Sequence, residues 1–269
     1  MRVSFVSDIH GNTAALADLA AGAEQLVVLG DLLDYIDYRD PGAGIVGAAF
    51  GRDSVQQLID LRTNGDFAGM HVLSVALWET LADPRGTLDS IVDAKYRLVV
   101  DALARASRPP LLILGNVDEL DRWTAVADGS IDMVDGQVIE LDGVRLGFAA
   151  GGASRKAGPP PDPATDDRPW RPFIKPAADF ARTVASLGAV DVLCSHVPPD
   201  LTLMRYDRVP ARAEMFGPGL LESIDEHHPR LALSGHVHQP LVQRTRRGRT
   251  ECVNVGHFAR WSTPFEVRW

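Results

Sequence analysis

Residues 3–12 read VSFVSDIHGN, an apolar run that ends in Ser7-Asp8-Ile9-His10. The apolar run predicts a buried β-strand, and Asn12 after it is a typical first residue for a helix that starts at Thr13. Aspartate and histidine are also common metal ligands, and here both follow the strand directly. The segment therefore predicts a strand whose carboxyl end carries two candidate ligands.

Four further segments repeat this arrangement of an apolar run followed by ligand-type residues. They are Leu26–Leu29 before Gly30-Asp31, Leu111–Leu114 before Gly115-Asn116, Val190–Cys194 before Ser195-His196, and Leu231–Leu233 before Ser234-Gly235-His236-Val237-His238. Taken singly, each motif is typical of an ordinary turn. Side chains at the carboxyl ends of strands in an α/β sheet converge on one crevice, so five such ends predict one shared metal site.

The rest of the chain alternates short apolar runs with helical stretches, which predicts an α/β protein with one domain over residues 1–269. Helices are predicted at Thr13–Ala21 and Thr87–Ser107. Residues 36–86, named here the 36–86 segment, are interpreted as a helical cap-like insertion; a homo-oligomer contact is the alternative. The Pro- and Asp-rich stretch Ser154–Pro176 predicts an irregular loop.

Composition narrows the classes of function. The 269 residues are 45% hydrophobic and 23% charged, with a formal net charge of −9. An acidic chain without a basic tract argues against an extended nucleic-acid partner, and no apolar run is long enough to span a membrane. A small phosphorylated substrate remains compatible, because bound cations can dominate the local potential. Only Cys194 and Cys252 occur, which predicts buried free thiols and a cytoplasmic location.

In this order, the motifs resemble those of the calcineurin-like metallophosphoesterase superfamily. The motifs are Asp8-x-His10, Gly30-Asp31-x-x-Asp34, Gly115-Asn116-x-Asp118, His196 and Gly235-His236-x-His238. The resemblance implies a four-layer αββα sandwich of two mixed β-sheets flanked by helices. It also implies two divalent metal ions and phosphoester hydrolysis by a hydroxide that bridges them.

The resemblance divides the ligands between the two ions. Asp8, His10 and His238 would hold the first ion, Asn116, His196 and His236 the second, and Asp31 would bridge both. Carboxylate, amide and imidazole ligands without thiolate suit Mn²⁺, Fe, Zn²⁺, Co²⁺ or Ni²⁺. Mn²⁺ is the ion that we expect.

The chain departs from the family pattern at Val117, where many relatives carry a histidine that protonates the leaving group. Small bacterial relatives with Gly-Asn-x-Asp resemble this chain more, which favours phosphodiesters of small organic or nucleotide substrates. A phosphomonoesterase or a pyrophosphohydrolase is the alternative. A non-catalytic metal-binding scaffold is less favoured, since such relatives usually lose ligand histidines.

Five residues are candidates for catalysis or substrate binding. His257 would replace the missing acid, with a loop histidine as the alternative, and Asp34 would orient a ligand or water, with a turn-capping role as the alternative. Tyr35 and Arg39 would stack on or clamp the substrate, although packing of the insertion is an equal alternative. Asn116 would also contact the substrate.

Overall fold

The computed structural model of the protein describes residues 1–154, 168–206 and 214–269. Its strands, in chain order, are β1 (Arg2–Val6), β2 (Gln25–Leu29), β3 (Leu111–Ile113), β4 (Val138–Leu141), β5 (Val144–Ala149), β6 (Gly152–Ser154), β7 (Ile174–Pro176), β8 (Val192–Ser195), β9 (Leu231–Ser234), β10 (Arg244–Arg247), β11 (Thr250–Asn254) and β12 (Phe265–Arg268). The helices are α1 (Thr13–Gly22), α2 (Ile45–Phe50), α3 (Arg52–Thr63), α4 (Phe67–Glu79), α5 (Pro84–Leu103), α6 (Leu120–Ala127), α7 (Ala177–Ser186), α8 (Leu220–His227) and α9 (Phe258–Trp261).

The strands form two mixed sheets. The first has the order β12-β1-β2-β3, in which β1, β2 and β3 are parallel and β12 is antiparallel to β1. The second has the order β10-β11-β9-β8-β5-β4, with antiparallel strands at both edges of a parallel centre. The short strands β6 and β7 pair separately. The parallel strands of each sheet bring their carboxyl ends to one edge of that sheet.

Side chains on the two faces of each strand pack into different layers of the fold. In β1, Val3 and Phe5 pack against residues of the second sheet such as Phe148, whereas Val6 packs with the helices outside the first sheet. Helices α1, α5 and α6 cover the first sheet, and α7 and α8 cover the second. Successive side chains of a strand point to opposite faces, so strands buried on both faces fit this position. The αββα sandwich that the resemblance implied is confirmed.

Helix starts follow local capping chemistry. The side chain of Asn12 accepts a hydrogen bond from the backbone N–H of Ala15 at the start of α1. The side chain of Asp83 caps α5 in the same way, and Pro84 occupies the first position, where a missing N–H costs nothing. These caps place the start of α5 three residues before the predicted Thr87.

Several element boundaries differ from the sequence-based prediction. The sequence predicts a strand at Leu241–Arg244, and this prediction is wrong, because β10 begins at Arg244 and runs through the arginine-rich stretch as an edge strand. Charged side chains suit an exposed edge, which explains a strand without apolar alternation. The predicted loop Ser154–Pro176 contains the end of β6 and all of β7, while residues 155–167 lie outside the described part. Strand β12 was not predicted.

The 36–86 segment contains α2, α3 and α4, and α5 starts within it. Its helices share a small apolar cluster of Val46, Val55 and Leu58.

Cys194 and Cys252 are buried free thiols, as predicted. Among the described residues, no helix has the length and apolar character that crossing a bilayer requires.

Candidate metal centre

Residues from five strand ends meet at one edge of the two packed sheets. Asp8 and His10 follow β1, Asp31 follows β2, Asn116 follows β3, His196 follows β8, and His236 and His238 follow β9. The structure brings all seven predicted ligands into two adjoining groups. Metal binding by these residues stays a prediction, and the distances between their donor atoms support it.

The first group contains Asp8, His10, Asp31 and His238, with one donor atom from each lying within 4.8 Å of the others. Nε2 of His238 lies 3.0 Å from Oδ1 of Asp8 and 2.9 Å from Nε2 of His10. Two imidazole nitrogens and two carboxylates at this spacing are a ligand set for a divalent transition metal.

The second group contains Asp31, His196 and His236, again within 4.8 Å. Oδ1 of Asn116 lies 2.9 Å from Nε2 of His196 and completes the group. Asp31 therefore contributes to both groups, which is the position expected of a bridging ligand.

The hydrogen bonds of His196 show that the second group suits a cation. Its Nδ1 lies 2.8 Å from the carbonyl oxygen of Leu29, which can only accept, so Nδ1 carries a proton. In the neutral ring Nε2 then presents a lone pair, yet it faces Oδ1 of Asp31 at 3.2 Å. Two acceptors that face each other require either an extra proton or a metal ion between them.

The electrostatics of the histidines agree with this requirement. Burial opposes a charged ring, but the hydrogen bond with Asp8 and the charge of Asp31 outweigh it and raise the pKa of His10 to about 10. Burial is likewise outweighed at His196, where Asp31 raises the pKa to about 9. Buried carboxylates thus attract positive charge to both groups. Bound metal ions would replace these protons, because a ligating imidazole must be neutral.

His236 differs from the other ligand histidines. Burial and the neighbouring charge of His196 lower its pKa to about 4. Its ring is therefore neutral near pH 7 and already in the state that metal ligation requires.

Four of the predicted ligands have a left-handed backbone conformation. The φ angles are 57° at Asp8, 41° at His10, 53° at Asp31 and 66° at His236. Such angles are uncommon for residues other than glycine and concentrate at functional sites. The N–H of Asp8 bonds the carbonyl of Gly30 at 3.0 Å, and the N–H of His10 bonds that of Asp31 at 3.0 Å. The two loops hold each other in the strained conformation.

Gly235 allows the loop after β9 to approach the loop after β1. A Cβ at this position would overlap the hydroxyl of Ser7 and would lie 2.5 Å from Oδ2 of Asp8. The close approach lets the N–H of His236 donate to Oδ2 of Asp8 at 2.9 Å. Oδ1 of Asp8 is thereby left to face His238.

Asp118 has a supporting role that the sequence motif did not reveal. Its buried carboxylate accepts hydrogen bonds from the backbone N–H groups of Leu32, Leu33 and Gly115 at 2.8–3.2 Å. Burial and the charge of Asp31 raise its pKa to about 7, although these donors lower it. The side chain ties the loop after β2 to the loop after β3, so it fixes Asp31 relative to Asn116.

Tyr206 and Asn254 hold the loop that carries His236 and His238. The hydroxyl of Tyr206 donates to the carbonyl of His236 at 2.8 Å and accepts from the N–H of His238 at 3.1 Å. The amide of Asn254 donates to the carbonyls of Gly235 and Val237. Relatives in the family that the motifs resemble carry an Asn-Pro-Gly-Ser loop after Gly-His-x-His, and Asn254-Val255-Gly256-His257 matches that loop in part. No sequence pattern marks Tyr206.

His257 lies beside the first ligand group. Its ring stacks on that of His238 with centroids 3.9 Å apart and meets the ring of His10 edge-on at 5.6 Å. One of its nitrogens lies within 4.8 Å of nitrogens of both rings. Burial and the charge of His238 lower the pKa of His257 to about 3, so the ring is neutral near pH 7. Its catalytic role stays a prediction.

Asp34 lies near His10 without orienting its ring. The carbonyl of Leu33, rather than Asp34, accepts the hydrogen bond from Nδ1 of His10 at 2.8 Å. Burial raises the pKa of Asp34 to about 6 although the charge of His10 lowers it. A catalytic role for Asp34 is therefore still a prediction.

The predicted substrate-binding residues have different surroundings. The ring of Tyr35 packs on that of Trp170 with centroids 4.7 Å apart, in the apolar packing beside the first sheet. Arg39 is exposed, and its Nη1 lies 3.5 Å from the carbonyl of Ala259. Val117 donates its backbone N–H to Oδ1 of Asp31 at 3.0 Å, so it supports a ligand although its side chain cannot transfer a proton.

Comparisons with known proteins agree with the geometry. The profile of the calcineurin-like phosphoesterase family matches residues 1–240. The crystal structure of TT1561 of Thermus thermophilus is similar with a TM-score of 0.52 and 13% identity, covering 99% of this chain and 98% of that one. Another crystal structure gives a TM-score of 0.56 and 15% identity, covering 96% and 91%. No curated protein shows significant similarity to the chain.

The two solved structures are too distant in sequence to show more than a shared fold. The family profile covers most of the chain and includes all seven predicted ligands, from Asp8 to His238. Together with the two adjoining ligand groups, this match shows that the chain belongs to the calcineurin-like phosphoesterase family.

Proposed function

We propose that the protein hydrolyses phosphodiesters of small organic or nucleotide substrates. Membership of the family and the two groups of aspartate and histidine side chains support a metal-dependent phosphoesterase. The observation that carries the proposal is that Asp31 belongs to both groups, which suits a pair of adjoining cations. Val117 stands beside Asn116 at the position where many relatives carry a histidine. A diester has one ionised oxygen fewer than a monoester, so it depends less on a side chain that could neutralise that charge, which favours diesters.

In this proposal the cations are two divalent ions, with Mn²⁺ as the first choice. Asp8, His10 and His238 would hold one ion, Asn116, His196 and His236 would hold the other, and Asp31 would bind both. These donors fit a cation because the lone pair of His196 already faces a carboxylate oxygen of Asp31. When bound, such ions polarise phosphoryl oxygens and supply a hydroxide nucleophile at neutral pH. Asn116 would also donate its amide N–H to a phosphoryl oxygen.

His257 is the proposed hydrogen-bond donor to the leaving group, because it lies against His10 and His238. Its lowered pKa leaves the ring neutral near pH 7, so it would offer an N–H rather than the acid form of the ring. This arrangement favours esters whose leaving group needs little protonation. Asp34 would orient a water molecule, and Arg39 and Tyr35 would contact the part of the substrate beyond the cleaved phosphoryl group.

A substrate panel tests the proposal. Purified protein reconstituted with Mn²⁺ would be assayed with bis(p-nitrophenyl) phosphate and p-nitrophenyl phosphate, which share one leaving group. We expect a higher kcat/KM for the diester and loss of both activities in His238→Ala. A clear preference for the monoester would instead support a phosphomonoesterase, and release of orthophosphate from pyrophosphate would support a pyrophosphohydrolase.

Metal analysis separates an enzyme from a scaffold. About two equivalents of bound metal together with hydrolysis would exclude a non-catalytic metal-binding role, since two-metal sites need both ions. We further propose a small phosphorylated molecule as the partner rather than extended nucleic acid. A cytoplasmic location stays a prediction from the two free thiols, Cys194 and Cys252.

A further inference from the structure

Arg62, near the end of α3, makes a specific contact with a tyrosine outside its own helix. Its Nη1 donates a hydrogen bond of 2.7 Å to the hydroxyl of Tyr38, and its guanidinium carbon lies 5.4 Å from the centre of the Tyr38 ring. Both side chains are exposed, Tyr38 to 53%. Because the tyrosine oxygen accepts from Arg62, its own O–H remains available to donate to a ligand.

The residue after Tyr38 connects this pair to a predicted metal ligand. Arg39 follows Tyr38 directly and lies 3.5 Å from the carbonyl of Ala259. The N–H of Ala259 in turn bonds the carbonyl of Asp8 at 2.9 Å, so Arg39 lies two hydrogen bonds from a predicted ligand.

The ion pairs of the described residues include neither Arg39 nor Arg62. Within the described residues, no carboxylate lies in ion-pair distance of Arg39 or Arg62, whereas Arg52 pairs with Asp40 and Arg205 with Asp200. Other exposed arginines such as Arg105 also lack such a partner, so what distinguishes Arg62 and Arg39 is their contacts with Tyr38 and with the carbonyl of Ala259. Guanidinium groups bind phosphate oxygens in paired, charge-assisted hydrogen bonds.

We propose that Arg62, with Tyr38 and Arg39, binds a second phosphate group of the substrate, apart from the phosphoryl group that is cleaved. The inference rests on the proposed phosphodiesterase function and narrows its substrate class to molecules with at least two phosphates. The competing interpretation is that Arg62 only packs α3 against Tyr38. Packing alone would affect all substrates equally, whereas a phosphate site would discriminate by charge.

Three diesters with one leaving group test the inference. They are the p-nitrophenyl ester of thymidine 5′-phosphate, the same ester with an added 3′-phosphate, and p-nitrophenyl phosphorylcholine, whose remaining group is cationic. For the Mn²⁺-loaded protein we expect a KM about tenfold lower for the ester with the 3′-phosphate than for the ester without it, the ratio that one charge-assisted contact supplies. The choline ester should have the highest KM.

Arg62→Gln should abolish most of this tenfold difference and leave the KM for the plain thymidine ester within about twofold. Tyr38→Phe should reduce the difference in part, because the hydroxyl that holds Arg62 is lost. Arg105→Gln is the matched control, since Arg105 is an exposed arginine after α5 on the approach to the amino end of β3. It should keep the full difference.

Equal KM values for the two thymidine esters in the unsubstituted protein would overturn the inference, as would an equal loss for both esters in Arg62→Gln. If no diester is hydrolysed, the proposed function fails and calorimetry decides the inference separately. Thymidine 3′,5′-bisphosphate should then bind the Mn²⁺-loaded protein about tenfold more tightly than thymidine 5′-phosphate, with the difference lost in Arg62→Gln. Equal affinities would exclude the second phosphate site.

Discussion

Nε2 of His10 lies 2.9 Å from Nε2 of His238, while Nδ1 of His10 is bonded to the carbonyl of Leu33. Since Nδ1 must donate to that carbonyl, the neutral His10 ring turns a lone pair toward its neighbour. The Asp8 carboxylate lies 3.0 Å from the same His238 nitrogen. The carboxylates of Asp8 and Asp31 beside these rings favour positive charge here, supplied by protons or by metal ions.

Adding Mn²⁺ to chelator-treated protein should raise its melting temperature. A ligand that binds only the folded state stabilises it by about 2.7 kcal/mol at 100 times its dissociation constant. His238→Ala should lose most of this gain because it removes a donor of the first group. His71→Ala, an exposed histidine of α4, is the matched control and should behave like the unsubstituted protein. Equal gains in both variants would contradict the ligand assignment.

Metal-free protein should lose stability as the pH rises from neutral to alkaline values. The pKa values of His10 and His196, raised to about 10 and 9, mean that the folded state binds protons more tightly than the unfolded state. This contribution is complete below about pH 6.5 and is lost as the pH rises through 9 to 10. Urea unfolding at pH 6.5, 8 and 9.5 would measure it.

The Mn²⁺-loaded protein should lack this alkaline loss, because metal ions replace the protons. If the loss of stability at alkaline pH is the same with and without Mn²⁺, the metal site is contradicted.

On the acidic side the sign reverses for His236, whose pKa is lowered to about 4. Its contribution is present above about pH 6.5 and disappears as the pH falls toward 4.

Asp118→Asn should destabilise the protein by about 1–3 kcal/mol, because its amide nitrogen would replace one of the two oxygens that accept backbone N–H groups and would leave one donor without an acceptor. Those donors belong to Leu32, Leu33 and Gly115. Asp101→Asn, an exposed change on α5, should stay within about 0.5 kcal/mol. Urea unfolding of both variants measures the difference, and similar midpoints would show that Asp118 does not connect the two loops.

Tyr206→Phe should weaken metal binding while leaving the fold intact. The phenylalanine keeps the ring but loses the hydroxyl that contacts the backbone of His236 and His238. Groups that orient metal ligands typically change metal affinity by about 10–100-fold. Titration of the metal-free protein with Mn²⁺ measures the affinity, and an unchanged affinity would assign Tyr206 a packing role only.

His257→Ala should reduce cleavage of esters with poor leaving groups more than cleavage of esters with good ones. Removing one hydrogen-bond donor to a developing negative charge typically costs about 10²–10³ in rate, and more charge develops on a poor leaving group. Comparing phenyl and p-nitrophenyl diesters would show the split. An equal loss for both would indicate that His257 contributes to metal binding beside His10 and His238 instead.

Much of the fold, and the convergence of the seven predicted ligands, could be predicted from the sequence. Strand–ligand junctions such as Val3–Asp8 and Leu231–His236 are contiguous in the chain, so residue order shows both the strand and its ligand. Elements without such a pattern were missed or misplaced. In strand β12, half-buried residues alternate with exposed ones, and the strand pairs with β1 from the opposite end of the sequence. Strand β10 is an arginine-rich edge strand. Their stability comes from the neighbouring strand rather than from local composition.

The sequence by itself determined the chemistry of the site, because aspartate, asparagine and histidine carry their donor atoms in any context. Tertiary structure alone decided how those atoms are held and what surrounds them. The contacts of Tyr206 with His236 span 30 residues, and those of Asp118 with Leu32 span 86. The pair of Arg62 and Tyr38 likewise depends on how a helix folds back toward the ligand loops. Hydrogen bonds over such separations depend on the relative positions of whole elements, and the packing of two sheets and their helices sets those positions.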